Sequence, residues 1–426
     1  MRISDTLSRS LVDLPAPPGP IGMYVCGPTV YARVHVGNAR PFVLGQWLKR
    51  WLELNGYEVK LVSNITDVDD RVYEASAKQQ ISSRALAADA TRWYREDTDD
   101  LGLGRPDVEP LASETIDEIV ALVQELIDRE KAYVAGGDVY FRVASYPDYG
   151  RLSGARVDEM IAQEPNELKE DQRDFALWKA QKPEEDYAWQ SPWGPGRPGW
   201  HIECSAMAEK FLGSEFEIHG GGIDLRFPHH ENELAQSRAA GRPFARIWLH
   251  NGMLERGKEK MSKSVGNIRT LREVVDTWGR EPLLLYFLTG HWRKPIDFTP
   301  EAMEAAQARA EHFRDVFRSP SITAPDDAWD RFAAALEDDF NTPAVLAVMH
   351  EWRDHDLLRR ALGLFGLGSL AEEAEAPAEI VVLAENRRRA RAARDFEEAD
   401  RLRDELERAG WEARDEQDGY QLVPIR

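Results

Sequence analysis

The stretch Met23–Arg40 reads MYVCGPTVYARVHVGNAR. It opens as a short apolar strand, Met23-Tyr24-Val25, and breaks at Cys26-Gly27-Pro28. It then runs through His35-Val36-Gly37-Asn38 into a long apolar-periodic helix. Phe42, Leu44, Trp47, Leu48, Trp51 and Leu52 form that helix's apolar stripe, and Gly56 suits its C′ position. Tyr57–Val62 is apolar-rich at strand length and leads into Asn64-Ile65-Thr66-Asp67-Val68-Asp69-Asp70. Strand, helix and strand in this order predict the first βαβ unit of a parallel sheet, in an α/β, Rossmann-like fold. Ligands of such units bind outside the carboxyl end of the strand, which here is the Cys26 loop.

Upstream, the Pro-rich first twenty residues are expected to be extended. Downstream, amphipathic helices are expected around Ser83–Leu101 and Ser113–Lys131. From Ala132 to Gly199 the texture changes: a hairpin signal at Ala135-Gly136-Gly137-Asp138 precedes an acidic stretch rich in Pro and Trp, read as an insertion in the sheet domain. The sheet is expected to resume at Trp200-His201-Ile202-Glu203-Cys204, with a helix to Leu212. A strand at Phe216-Glu217-Ile218 then meets His219-Gly220-Gly221-Gly222, a helix starts near Pro228-His229-His230, and a strand covers Arg246–His250. Beyond Pro300 the pattern is helical, with caps and breakers at Thr299-Pro300 and Asn341-Thr342-Pro343. A last unit, Glu385–Arg426, holds a charged helix and a strand-like end at Tyr420–Val423.

The chain of 426 residues is long enough for two or three domains. It has no apolar run of membrane-spanning length, and its N-terminus lacks the apolar segment of a signal peptide, so a cytoplasmic protein is expected. Two cysteines, 178 positions apart, exclude a disulfide framework and a CxxC zinc ribbon. A net charge of −21 argues against a surface coated for nonspecific nucleic-acid binding. Arg outnumbers Lys 42 to 12, yet three of the twelve lysines fall between Lys258 and Lys263.

Gly252-Met-Leu-Glu-Arg-Gly257-Lys258-Glu259 has the spacing of a P-loop, but Glu259 stands where a magnesium-binding Ser or Thr is required. The next residues, Lys260-Met261-Ser262-Lys263-Ser264, form either a polyphosphate clamp on a Gly-flanked loop or a solvated basic turn. His35-Val36-Gly37-Asn38 at a helix N-terminus offers backbone N–H groups, imidazole and amide to a phosphate, or caps the helix. His229 and Glu233 are four apart on one helix face, and with Cys26 and Cys204 they offer four metal donors from three segments. On spacing alone, the cysteines could equally be core residues and the histidine run a polar helix start.

Lys260–Ser264 resembles the KMSKS signature of class I aminoacyl-tRNA synthetases, and His35–Asn38 a variant of their HIGH signature with Asn38 at the second His. MYVCGPTVY, NITDVDD, GWHIECSAM and IHGGGIDLRFPHHENELAQS, in that order, resemble the cysteinyl-tRNA synthetase family, as do DDFNTP (338–343) and RDFEEAD (394–400). The resemblance implies ATP-dependent activation of L-cysteine and its transfer to tRNA(Cys) by a monomer. It implies His35, Asn38, Lys260 and Lys263 as catalytic residues. Gly37, Gly220, Gly221, Gly222 and Lys263 are implied at ATP, and magnesium with it. Gly27, Thr29, Thr66 and Trp200 are implied at the cysteine, and Cys26, Cys204, His229 and Glu233 as zinc ligands, with His230 outside the ligand set. It further implies domains at 1–131 and 200–250 (catalytic halves), 132–199 (inserted connective subdomain), 251–300 (KMSKS and stem contact), 301–384 (helical anticodon-binding) and 385–426 (small RNA-binding unit). Arg387, Arg388, Arg389, Arg391 and Arg394 are expected to give that last unit a basic face. Two rivals remain: a cysteine ligase of mycothiol synthesis acting on an amino sugar, and a non-catalytic RNA-binding paralogue.

Overall fold

A computed structural model describes residues 1–156, 166–256, 259–260, 269–372, 376–416 and 419–424 of the chain. Two compact units are present, residues 1–370 and 371–426.

The first unit begins with a hairpin, β1 (Arg2–Asp5) and β2 (Ser10–Asp13), where the Pro-rich composition led us to expect only extended chain. Asp5 anchors it: its carboxylate accepts the N–H groups of Leu7, Ser8 and Trp248 at 3.2, 2.7 and 2.8 Å. β3 (Pro20–Val25), α1 (Val36–Leu54) and β4 (Glu58–Ser63) then form the βαβ unit, with β3 and β4 paired in parallel. Asn55 caps α1 and Gly56 follows with φ +85°, a left-handed value that favours glycine.

Helices α2 (Asp70–Gln79), α3 (Ser83–Asp99) and α4 (Ile116–Asp128) lead to the insertion. The expected hairpin, β5 (Ala132–Ala135) and β6 (Asp138–Phe141), is half of a four-stranded antiparallel sheet completed by β7 (Phe175–Ala180) and β8 (Gly196–Pro198). Trp200–Cys204, expected as strand, is instead the start of α5 (Trp200–Leu212). Ile202 to Ala208 are buried without a break, so this helix is enclosed on every side, and a continuous buried run does not separate helix from strand by its pattern.

β9 (Glu215–Gly222), α6 (Glu231–Ala239) and β10 (Phe244–Asn251) complete the main sheet, whose order is β10-β9-β3-β4, all parallel. β9 and β10 are almost continuously buried, as strands covered on both faces are. From the centre, β3 connects outward through α1 and β9 outward through α6, so the sheet's connections diverge between β3 and β9. That divergence opens a crevice at their carboxyl ends. β11 (Leu254–Arg256), β12 (Glu259–Lys260), α7 (Leu271–Trp278), α8 (Arg280–Leu288) and β13 (Ile296–Asp297) follow. The helices α9 (Pro300–Arg318), α10 (Ala328–Glu337), α11 (Thr342–Glu351) and α12 (His355–Leu364) come next. Thr299 and Asn341 cap α9 and α11, as their sequence signals predict.

The inserted sheet is fastened to α2 by ion pairs. Arg197 is almost wholly buried and bridges Asp70 on α2 and Glu185 at 2.9 Å, while Lys179 reaches Asp70 at 2.8 Å and Lys182 at 3.5 Å. Burial opposes ionisation of Asp70, but the three cations overcome it and hold the carboxyl at about 2. A depressed folded-state value stabilises the fold above the unfolded value and is lost as pH falls through the folded one. Asp70→Asn should therefore lower Tm fully above about pH 5, and the gap to wild type should narrow as pH falls from about 4 towards 2. A pH-independent gap in thermal melts would count against this linkage.

The second unit packs α13 (Ala378–Ala392) against α14 (Phe396–Arg408) and a hairpin, β14 (Trp411–Glu416) and β15 (Gly419–Pro424). Ile380, Ala384, Leu406 and Ala413 form its core. The arginine cluster is less basic than it reads in sequence. Arg387 and Arg391 pair with Asp415, and Arg388 and Arg389 share Glu385.

Candidate active site

Cys26 leaves β3 at the divergence point, and its N–H bonds to the carbonyl of Gly220 on β9 at 3.0 Å. The next residue has to be glycine. Gly27 N–H donates to Asn64 Oδ1 at 3.0 Å, and a Cβ there would lie 1.7 Å from the Asn64 carbonyl oxygen. Val30 N–H to Thr66 O (3.0 Å) and Thr66 N–H to Pro28 O (3.1 Å) then stitch the loop to the end of the β4 segment. Thr66 is buried in that wall with its hydroxyl accepting from Asn64 at 3.1 Å, while the Thr29 hydroxyl accepts from Arg71 at 3.1 Å.

The loop places Cys26 Sγ 3.8 Å from Cys204 Sγ on α5 and 3.7 Å from Glu233 Oε1 on α6. His229 Nε2 lies 3.1 Å from the same Glu233 oxygen, across one helical turn. The donor atoms of Cys26, Cys204, His229 and Glu233 all fall within 4.8 Å of one another, and all four residues are buried. Two thiols, an imidazole and a carboxylate facing one another in a dry pocket are costly on their own, and they match the donor types and number of a tetrahedral divalent-metal site. Without a cation, burial pushes the Cys26 thiol up and the His229 imidazole down, so both are neutral. A bound cation reverses that preference for the thiols.

Two further histidines aim these donors, and the spacing argument did not reach them. His219, at the end of β9, sits 2.8 Å from Glu233 Oε2 through its Nε2, fixing one carboxylate oxygen and leaving Oε1 to face Cys26 and His229. His201 Nδ1 lies 2.9 Å from His229 Nδ1; in the tautomer where His229 Nδ1 carries the proton and donates it to His201, His229 Nε2 is left as a lone pair. The available signal was His219 standing directly at the end of a predicted strand at the ligand-binding edge. His230, expected outside the ligand set, belongs to a second overlapping donor group with Cys26, His219 and Glu233. Its Nδ1 is taken up by His250 at 2.9 Å.

Trp200 lies over His229 with ring centroids 4.1 Å apart, and the Arg71 guanidinium covers the same indole at 5.5 Å. Arg71, which the sequence reading did not single out, is held by Asp69 at 2.9 Å. Arg71, Trp200 and His201 open onto a cavity of about 350 Å³ shared with Lys179 and Arg197 of the insertion and with Phe227 of the turn after β9.

The segment read from sequence as a phosphate site sits at the other side of the same eighteen residues. His35 is the N-cap position of α1 in extended conformation, without a ring-to-backbone capping bond, and its ring lies against Gly37. The segment that follows the lysine loop is sewn to this point. Val36 N–H bonds to Arg269 O at 3.0 Å, Leu271 N–H to Val34 O at 2.9 Å, and Thr270 pairs with His35. Thr270 then starts α7 with a capping box to Glu273. The loop's other end is the β12 backbone at Lys260, paired with β11. Lys263 lies outside the described residues, as does the Lys260 side chain. Gly220, Gly221 and Gly222 close β9, and a Cβ at Gly221 would lie 2.9 Å from the His230 ring, so that glycine serves histidine packing.

A family model described as the class I (C) tRNA synthetase catalytic domain matches residues 14–308, and one described as the DALR domain matches residues 331–366. The chain is 41% identical over 466 aligned residues to a cysteine–tRNA ligase of Caldicellulosiruptor saccharolyticus, covering the whole of both. It is 44% identical over 437 residues to one of Halorhodospira halophila, covering 95% of each. Among solved structures, methionyl-tRNA synthetase of Mycobacterium tuberculosis in complex with methionyl-adenylate superposes with a TM-score of 0.59. The match has 14% identity and covers 82% of this chain and 88% of that one, and at this identity it is a likeness of fold.

Proposed function

The chain belongs to the cysteine–tRNA ligase family of class I aminoacyl-tRNA synthetases, and from that premise we propose how its residues divide the work. The enzyme joins cysteine to tRNA at the expense of ATP. Cysteine carboxylate attacks the α-phosphorus, giving cysteinyl-adenylate and pyrophosphate, and the terminal ribose hydroxyl of tRNA then takes the cysteinyl group.

Cys26, Cys204, His229 and Glu233 would hold a zinc ion, which when bound supplies a soft Lewis acid that favours a thiolate over a serine hydroxyl. The observation that supports this reading is the donor group itself, closed within 4.8 Å from three segments of chain. Trp200 covers the cysteine above His229, and Gly27, Thr29 and Thr66 shape the adjoining wall. His35, Gly37 and Asn38 receive the α-phosphate end at the α1 N-terminus, where N–H groups and the helix dipole favour an anion. Lys260 and Lys263 act on the leaving pyrophosphate, and Gly220 to Gly222 form the floor beneath the nucleotide, which arrives with magnesium. There is little covalent work for these groups: they position reactants and stabilise phosphate charge.

Residues 1–131 and 200–250 form the catalytic domain around the connective insertion 132–199, with 251–300 contacting the stem. Residues 301–384 read the anticodon and 385–426 add RNA contacts. We read the enzyme as a cytoplasmic monomer; among the described residues no helix is long and apolar enough to cross a membrane.

Aminoacylation of tRNA(Cys), run beside cysteine-dependent pyrophosphate exchange, tests the assignment. Both activities are expected with cysteine and neither with serine. Exchange without tRNA charging, and with transfer to an amino sugar, would move the protein to the mycothiol ligases. Absence of both would make it a non-catalytic paralogue.

A further inference from the structure

A second cavity, of about 480 Å³, lies between the N-terminal hairpin and the turn after β9. It shares no residue with the nucleotide end at α1 or with the cavity beside Trp200. Three guanidinium groups line it, Arg9, Arg226 and Arg293, against a single carboxylate on its wall, Asp5. Asp5 has its two oxygens committed to three backbone N–H groups. Arg293 is balanced by Asp339 at 2.6 Å. Arg9 and Arg226 pair with no carboxylate among the described residues. In a chain of net charge −21, two uncompensated arginines on one concave wall are a local reversal of the protein's field.

Arg9 leaves the hairpin turn from an unusual backbone. Its backbone is left-handed, with φ +57°, which is uncommon for a residue with a Cβ. Its guanidinium lies across Gly154, where a Cβ would come within 2.7 Å of Arg9 Nη2. Guanidinium groups present paired N–H donors that match phosphate oxygens.

We propose that this cleft is a phosphate-binding site, taking a phosphoryl group either as a free anion or as part of the tRNA backbone. The site goes beyond the activity described above. Thr6 on the same wall bonds His250 Nδ1 at 2.8 Å, and His250 Nε2 meets His230 at 2.9 Å, so the cleft backs directly onto the segment that carries His229.

The test uses the intact enzyme and the double variant Arg9→Gln/Arg226→Gln, neither residue belonging to the catalytic or donor groups. Calorimetric titration with inorganic phosphate reads the free-anion source, and the salt dependence of the KM for tRNA reads the backbone source. For a free anion, the double variant should weaken phosphate binding by about tenfold or more with the KM for tRNA unchanged, since two charge-assisted contacts are lost. For the tRNA backbone, it should raise the KM for tRNA several-fold and flatten the slope of log KM on log salt by about one per lost phosphate contact. Cysteine-dependent pyrophosphate exchange should stay at the wild-type rate in either case, which separates this site from the catalytic reading. If neither phosphate affinity nor the tRNA salt slope moves, the proposal is overturned. Arg9→Lys/Arg226→Lys guards against a packing effect. It should recover most of the binding, and a lysine pair as deficient as the glutamine pair, with unchanged circular dichroism, would also overturn it.

Discussion

Cys204→Ser abolishes selective cysteine activation while leaving a folded chain: that is the largest effect expected here. Partners that merely orient a metal ligand are each worth about 10–100-fold in metal affinity, so removing a direct thiolate donor should cost more than about 100-fold. The Cys204 side chain is almost wholly buried beside Cys26, and serine is close to it in volume, so the fold has no cavity or clash to absorb. What is lost is one soft donor of two. Elemental analysis should find the purified variant largely free of metal, against about one ion per chain in the wild type. Cysteine-dependent pyrophosphate exchange should fall in step. Residual discrimination between cysteine and serine should drop to the roughly 10²-fold or less that pocket shape alone provides. Metal-free protein that still selects cysteine as wild type does would end the metal reading. Cys26→Ser should behave alike, since the two sulfurs stand 3.8 Å apart on the same group.

Lys263→Ala should lower the maximal rate of pyrophosphate exchange by about 10²–10³-fold, the usual loss when one preorganised donor to developing charge is removed. The KM for cysteine should hold, because the groups proposed above to bind cysteine belong to other segments. Lys263 itself lies outside the described residues, but both ends of its loop are anchored. The β12 backbone ends at Lys260, and Arg269 to Leu271 are hydrogen-bonded to Val34 and Val36 at 2.9–3.0 Å. The described residue that closes the loop, Thr270, thus pairs with His35 at the α1 N-terminus, which is the ground for assigning its lysine to the phosphates. Exchange at the wild-type rate, or a KM for cysteine that rises as far as the rate falls, would remove Lys263 from the pyrophosphate.

The chain announced its local features well because they rest on interactions a few residues long. The apolar stripe of α1, the glycine after it, the caps at Thr299 and Asn341 and the hairpin turn at 135–138 all stand where periodicity and capping chemistry placed them. Where the local signal was ambiguous it misled: Trp200–Cys204 has the apolar content of a strand and the fold of a helix, and the Pro-rich start conceals a hairpin. The arginine cluster at 387–394 reads as a basic face until its partners, Glu385 one turn before it and Asp415 on a later strand, are brought to it.

The donor residues divide the same way. Cys26, Cys204, His229 and Glu233 were recognisable as residue types, and the i, i+4 geometry of His229 and Glu233 follows from one helix. Their meeting with two cysteines that lie 178 positions apart does not. It depends on the sheet order β10-β9-β3-β4, which puts the ends of β3 and β9 side by side with α5 and α6 above them. His219 on Glu233 and His201 on His229 depend on it too, as does the joining of residues 269–271 to His35. The sequence by itself thus determined which elements form and which side chains are chemically able to act. Tertiary structure alone decided which of them face one another, because distance through space is set by strand order and not by position along the chain.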